Sequence, residues 1–356
     1  MADVDWAEPF RSEYRYMRVS RATGAETARL DGFLEGGAIE RNADAQVKES
    51  GAVTHAGPFD IGADLVRVYL DAEGMFTGWR ASVPLGTFMP SVTSREVDGA
   101  VSTCKVDLTG RLGELAQDQF EHPISVPSGS DPVGEAVEIA RGAGLEVIAD
   151  DSTYRLSSTW TFGVDAQDGE TKLDAVNDLL DIAGFSSATT DPMGRVVMRR
   201  YVPPADRAPV HAFVEGRDAR FLRAMTDERD TSSVANVVVA VFGDQDGTVT
   251  GVAVDSDPDS PFSTVSVGRR IVARYEYGDK VGEERADAKA AELLRENQSV
   301  IRRVTFTHTY APISIGDVVT MDYATGGVRE TLAVRTQAIK LAAGCPVECE
   351  GRSRGR

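Results

Sequence analysis

Residues 283–323 read EERADAKAAELLRENQSVIRRVTFTHTYAPISIGDVVTMDY, and this stretch decides the fold class. Its first half sets Glu284, Asp287, Lys289, Glu292, Arg295 and Glu296 on one face. Ala286, Ala290, Leu293 and Leu294 lie opposite, the spacing of an amphipathic helix over 283–299. The period then drops from 3.6 to 2. Val300, Arg302, Val304, Phe306 and His308 alternate with Ile301, Arg303, Thr305, Thr307 and Thr309, which is a strand with one inward face. The loop from Ala311 to Gly316 follows, Gly316-Asp317 supplies a tight turn, and Val318, Val319 and Met321 re-enter a sheet. A helix laid beside a small antiparallel barrel is a scaffold, and nothing in the stretch pairs a nucleophile with a base.

Before it, residues 1–118 read as six or so short strands separated by turns, such as ADLVRVYLDAEG (63–74), and predict a first small β-barrel. At residue 119 the pattern changes. A proline-containing loop leads to a helix that starts at Ser130 or Asp131 with Glu135 in its first turn, ends at Gly142 and Gly144, and gives way to the strand LEVIAD (145–150). The sentence repeats: Thr171 caps a helix with Leu173, Val176, Leu179, Leu180 and Ala183 on one face, Gly184 stops it, and the turn DPMG (191–194) joins two strands. Residues 119–203 are therefore an α/β insert module, closed by the stiff Val202-Pro203-Pro204. Residues 204–345 return to strands and predict a second β-barrel with the helix 283–299 beside it. VANVVVAVFG (234–243) is an apolar run expected to be buried on both faces. Residues 346–356, with Arg352, Arg354 and Arg356, read as a basic, mobile tail. The fold class expected is α+β, mostly β.

Composition narrows the function. The 356 residues exceed one ordinary core, so two or three domains are expected. A formal net charge of −18 opposes nucleic-acid binding, which needs clustered Lys and Arg. No apolar run approaches the roughly 20 residues that span a bilayer, and the first residues lack signal-peptide order, so synthesis in the cytoplasm without membrane insertion is expected. Cys345 and Cys349 lack the second ligand pair of a zinc site, and the spacing leaves their pairing open. His55, His122, His211 and His308 stand at no metal-ligand spacing. Asp255, Asp257 and Asp259 alternate like half a calcium loop, but Pro258 intrudes and neither the Gly nor the closing Glu is present. Asp227 with Glu228 or Asp230 is a carboxylate pair of the kind that 56 acidic residues produce by chance. No catalytic, cofactor-binding or metal residue is assigned.

The segment ADAKAAELLRENQSVIRRVTFTHTYAPISIGDVVTMDY (286–323) resembles the late part of phage tail hub proteins, a family that includes the late control D proteins and the siphophage tail-tip proteins. LDAVNDLLDIAGF (173–185), followed by DPMGRVVMRRY (191–201), is similar to that family's inserted module, and VANVVVAVFG to the strand that opens its second barrel. The resemblance implies a structural virion protein of the tail tip or baseplate, without enzyme activity or cofactor. It implies a homotrimer whose two barrels per chain make a pseudo-sixfold ring, joining the tail tube protein to the tip. The implied partners are the distal tail protein ring, the tape measure protein and tip or fibre proteins, with viral DNA passing through an acidic lumen unbound. The sequence stops soon after its last strand, so host attachment is expected to reside in another protein. Two other readings are a tail-associated cell-wall hydrolase and a host-carbohydrate-binding tail protein; for the latter, Trp6, Trp79 and Trp160 are spread over different segments.

Overall fold

The computed structural model describes residues 4–99, 101–163, 170–229, 234–244, 247–277, 281–299 and 302–353. The first unit is made of seven antiparallel strands: β1 (Phe10–Val19), β2 (Glu26–Leu30), β3 (Ala38–Asn42), β4 (Glu49–Ala56), β5 (Leu65–Gly74), β6 (Arg80–Asp98) and β7 (Val101–Gly110). Their hydrogen-bonded order is β2-β1-β5-β6-β7-β4-β3. The inward residues are the alternate apolar ones, among them Tyr16, Ile39, Val68, Leu70, Phe88 and Val106.

The short helix α1 (Gly113–Ala116) leads into the α/β module. There β8 (Ile124–Val126), α2 (Pro132–Gly142), β9 (Val147–Ala149), β10 (Trp160–Phe162), α3 (Lys172–Ile182), β11 (Thr189–Thr190) and β12 (Val196–Met198) enclose their own core. Both helices begin where the sequence places them, and of the two starts read for α2, Ser130 and Asp131, the cap is Asp131. Asp131 accepts the Val133 N–H with Pro132 in the first turn. Thr171 and Asp174 form a capping box. The two helix-then-strand units meet where β12 runs parallel to β9, and the turn Asp191–Gly194 joins β11 to β12.

The second unit starts with β13 (His211–Val214) and β14 (Phe221–Arg229). The chain then leaves it. β15 (Val237–Asp244), β16 (Gly247–Val254), the short α4 (Thr264–Val267), β17 (Val272–Tyr277) and α5 (Glu283–Ser299) form a module of their own, with β15 in the middle of the three strands. The chain comes back as β18 (Arg302–Thr309), β19 (Val318–Tyr323), β20 (Val328–Lys340) and β21 (Pro346–Ser353).

Three expectations are corrected here. The run 234–243 does not open a second barrel; it is the central strand of the separate sheet. One of its faces, Val238, Ala240 and Phe242, is buried under α5, while Val239 and Val241 on the other are only half-buried. The helix 283–299 has the apolar face expected, Ala286, Ala290, Leu293 and Leu294, but packs that face on β15 and β16 and not on the second unit. A local connection favours this packing, because Gly251 on β16 leaves room for the helix backbone: a Cβ there would overlap the carbonyl of Ala286. Finally, residues 346–353 are no tail. β21 lies between β18 and β20, with Val347, Cys349, Gly351 and Ser353 inward. Arg352 is bound to Glu350 and Asp44. Val300, Ile301, Arg354 and Arg356 fall outside the described residues.

The two units are one sheet. β20 pairs with β21 on one side; on the other, its first half pairs with β19 and its second half, Thr336–Lys340, with β3. The result is a thirteen-stranded sheet whose main path ends at β2 and β14, so among the described residues neither unit closes by strand pairing. The chain is mostly β, as expected. A buried polar group pins the junction. Arg41 on β3 donates to the Leu85 carbonyl at 2.6 Å and to Gln337 of β20 at 3.5 Å, and lies 3.5 Å from Glu49. Glu49 accepts from Thr190 of the α/β module at 2.9 Å. The same module is tied down by Arg67, which donates to Thr87, Glu26 and the Met193 carbonyl.

Replacing Gly251 with Val is expected to destabilise the chain by about 2–3 kcal/mol, through overpacking under α5. Limited proteolysis should then cut first within 247–299; unchanged protection there would show that α5 is not seated on β16.

Candidate functional site

Arg302 shows how the second unit fills its interior. β18 points Arg302, Val304, Phe306 and His308 inward, the alternation read from the sequence. The arginine is 3% exposed and makes a fork to Asp227 at 2.7 and 2.8 Å, with a third bond to Glu330 at 2.8 Å. Asp227 and Glu228 are therefore ion-pair partners, the second to Arg303, and not a free carboxylate pair; Asp230 lies outside the described residues.

At the other end of β18 the two units meet around a pair of adjoining hollows, of about 320 and 330 Å³, which share Ala219, Arg220 and Thr309. The segment Trp6–Phe10 forms one wall. Trp6 packs edge-on against Tyr310 and Trp79, with ring centroids 5.0 and 5.2 Å away. Glu8 accepts the backbone N–H groups of Phe76 and Thr77, which fixes the β5–β6 turn and leaves Phe76 81% exposed. The start of β14 and the end of β18 form the other walls.

Two of the four histidines come together here. The rings of His211 and His308 lie 4.7 and 4.9 Å from that of Phe213. The sequence places them 97 residues apart and gives no sign of this, because β13 reaches β18 only through the curl of the second unit. Burial lowers the pKa of both, that of His308 to about 4. His308 Nδ1 lies 2.6 Å from the Thr309 carbonyl oxygen, while its Nε2, the Thr309 hydroxyl and Arg220 Nε are buried without a partner. His55 is packed with Phe33 and Phe59, and His122 is exposed.

The remaining candidates serve the fold. Asp255 and Asp257 accept backbone N–H groups of their own loop, and Asp255 also binds Ser260 and Gln298 at 2.6 Å, which ties the loop to the end of α5. No group of three or more His, Cys, Asp or Glu able to hold a metal occurs among the described residues. All three cysteines are free and buried; desolvation pushes Cys345 up to about 11 and Cys349 up to about 12, so both stay thiols at neutral pH. The loop from Ala311 to Gly316 buries Ala311 and Ile313 in its own core and exposes only Pro312 and Ser314. Where α3 faces α5, Lys289 binds Asp181, and burial with Glu170, Asp174 and Asp181 raises Asp178 to about 6. Trp79 is buried, and Trp6 and Trp160 are half-buried, so no tryptophan stands out as a sugar platform.

No family model and no curated protein matches the sequence. Solved structures do match the fold. A tail protein from Neisseria meningitidis superposes with a TM-score of 0.68 at 14% identity, covering 96% of this chain and 97% of that one. The 43 kDa tail protein of prophage MuSo2 from Shewanella oneidensis gives 0.68 at 12% identity, over 96% and 98%. The prophage tail protein gp18 from Listeria monocytogenes gives 0.56 at 12% identity, over 96% and 95%. The chain has the fold of these tail proteins along essentially its whole length.

Two outcomes are expected. Arg302→Ala strands Asp227 and Glu330 and should cost about 3–5 kcal/mol in urea unfolding, whereas replacing all three by apolar residues should cost less. His308 has its folded pKa below the unfolded value of 6.5, so its contribution is complete above pH 6.5 and is lost as pH falls towards 4. Between pH 7 and 4 the loss should be about 3 kcal/mol. His308→Phe should flatten the stability profile by that amount; parallel profiles would contradict it.

Proposed function

We propose that this chain is a structural virion protein, the hub of a phage tail tip or baseplate. The observation that carries the reading is the fusion of two β-units of similar size into one sheet through β3 and β20, on a fold shared with tail proteins. A rigid pair of units is what lets three chains present six to a sixfold tube. A closed homotrimer of this kind requires a head-to-tail interface that repeats around the ring. The ring joins the tail tube, through the distal tail protein, to the tip and fibre proteins, and surrounds the end of the tape measure protein.

In this reading the protein acts by geometry. The carboxylates of a chain with net charge −18 repel phosphate, so DNA moves through the lumen without being held. Lys and Arg lining the lumen, with the acidic residues on the rim, would contradict that part. Polar groups are spent on joints: Arg41, Arg67 and Arg302 each carry several bonds within the fold. A cell-wall hydrolase would need a nucleophile or a paired acid and base facing a cleft. The carboxylates Asp227 and Glu228 are instead engaged by arginines.

Reconstruction of an assembled particle should place three copies at the junction between tube and tip, with the two units of each alternating around the axis. A chain that stays monomeric in the particle would overturn the proposal, as would robust cleavage of cell-wall peptidoglycan by the purified protein.

A further inference from the structure

β14 ends and β18 begins as ladder partners, Arg229 opposite Arg302. The module of β15–β17 and α5 therefore leaves and rejoins the chain at one place. Among the described residues its apolar core is drawn only from 235–294. A polar seam along α5 joins it to the α/β module. Arg285 donates to the Ile182 carbonyl at 3.1 Å, at the C-terminal end of α3, and lies 5.3 Å over the Tyr154 ring. One turn on, Lys289 lies 3.1 Å from Asp181, 3.8 Å from Glu292 on its own helix and 5.8 Å over the Tyr277 ring. Two turns further, Glu296 is hydrogen-bonded to Tyr201, just after β12.

The seam is more acidic than basic. Asp181, Glu292 and Glu296 gather around the ammonium of Lys289, and Asp178 stands one turn behind Asp181 on α3. Arg207, on the Tyr201 side, is turned to the Val202 and Gly316 carbonyls. β17 faces the cluster with Tyr275 and Tyr277. Glu296 is half-buried, and burial, with Glu292 and Asp181 beside it, raises its pKa against the pull of Lys289 and Tyr201. Once the module is undocked, the same carboxyl stands in water away from Asp181. The docked module therefore holds the proton more firmly than the undocked one. Docking is strongest at low pH and weakens as pH rises through the raised value. The pair of Lys289 with Asp181, whose side chain is 53% exposed, adds too little to hold the seam by itself.

We propose that this module is a pH-responsive arm of the fold: it docks on the α/β module when Glu296 is protonated, and the charge on Glu296, set against Glu292 and Asp181, releases it. The protonated carboxyl keeps its bond to Tyr201, since a carboxylic acid both donates and accepts. α5 moves together with β15 and β16, because its apolar face is buried on them. The two β-units share a sheet and stay together.

Spin labels on Glu138→Cys of α2 and Ala291→Cys of α5, both exposed positions, read the docking distance by double electron–electron resonance. The three native cysteines are buried, so only the introduced thiols take the label. Two distances are expected, that of the docked arrangement and a second one. The equilibrium constant for docking should be about threefold larger at pH 5 than at pH 7.5. Glu296→Gln removes the charge and keeps an oxygen for Tyr201, so the docked distance should dominate at both pH values. Lys289→Met should deplete it at pH 7.5. A single distance that ignores pH, a docked share that falls with falling pH, or an unaltered pH response in Glu296→Gln would overturn the proposal.

Discussion

The structure depends on the pairing of β20 with β3. One strand of 13 residues serves two units, and its two halves face different neighbours on the same side. Because side chains alternate with period 2, a slip of one residue at this joint would turn Ile339 and Gln337 out of the core and present their neighbours instead. The buried contact of Arg41 with Gln337, Glu49 and the Leu85 carbonyl guards against that slip. Burial raises the pKa of Glu49, and the Arg41 charge beside it opposes that rise. Such a group adds little net stability but penalises every other register, since each would leave a charge unpaired.

The α/β module and the helical excursion are then braces on this frame. Thr190 reaches Glu49, and Arg67 and Thr87 hold the turn at Pro192 and Met193. On the far side α5 leans on the module through Lys289 to Asp181 and Arg285 to the Ile182 carbonyl. The first unit's core also accepts Tyr310, Ile339, Leu341 and Val347 from the second. Units that share a sheet, a buried polar group and a core are expected to move together. Among the described residues, β2, β13, β14 and the outer part of β6 keep an unpaired edge.

Much of the frame was legible in the sequence. The caps at Asp131 and Thr171, the apolar face of α5 and the alternation of β18 follow from periodicity and hydrogen-bonding chemistry, which are local. What failed was partner choice. VANVVVAVFG reads the same whether its sheet has three strands or thirteen, and only the connection through Gly251 decides where α5 sits. β21 reads as a tail because three of its four inward residues, Cys349, Gly351 and Ser353, are small and only weakly apolar; their burial depends on neighbours far away in sequence. The hollow beside His308 was beyond reach for the same reason, although Arg302 and His308 in the inward register of β18 were a readable sign of buried polar groups.

Hydrogen exchange read by mass spectrometry tests the central claim most directly. If β20 and β3 lock the units together, amides of residues 38–42 and 336–340 should exchange as slowly as those of the central strand β5, in a single cooperative opening. Exchange at the joint as fast as at the edge strand β2, with the two units opening independently, would contradict the account.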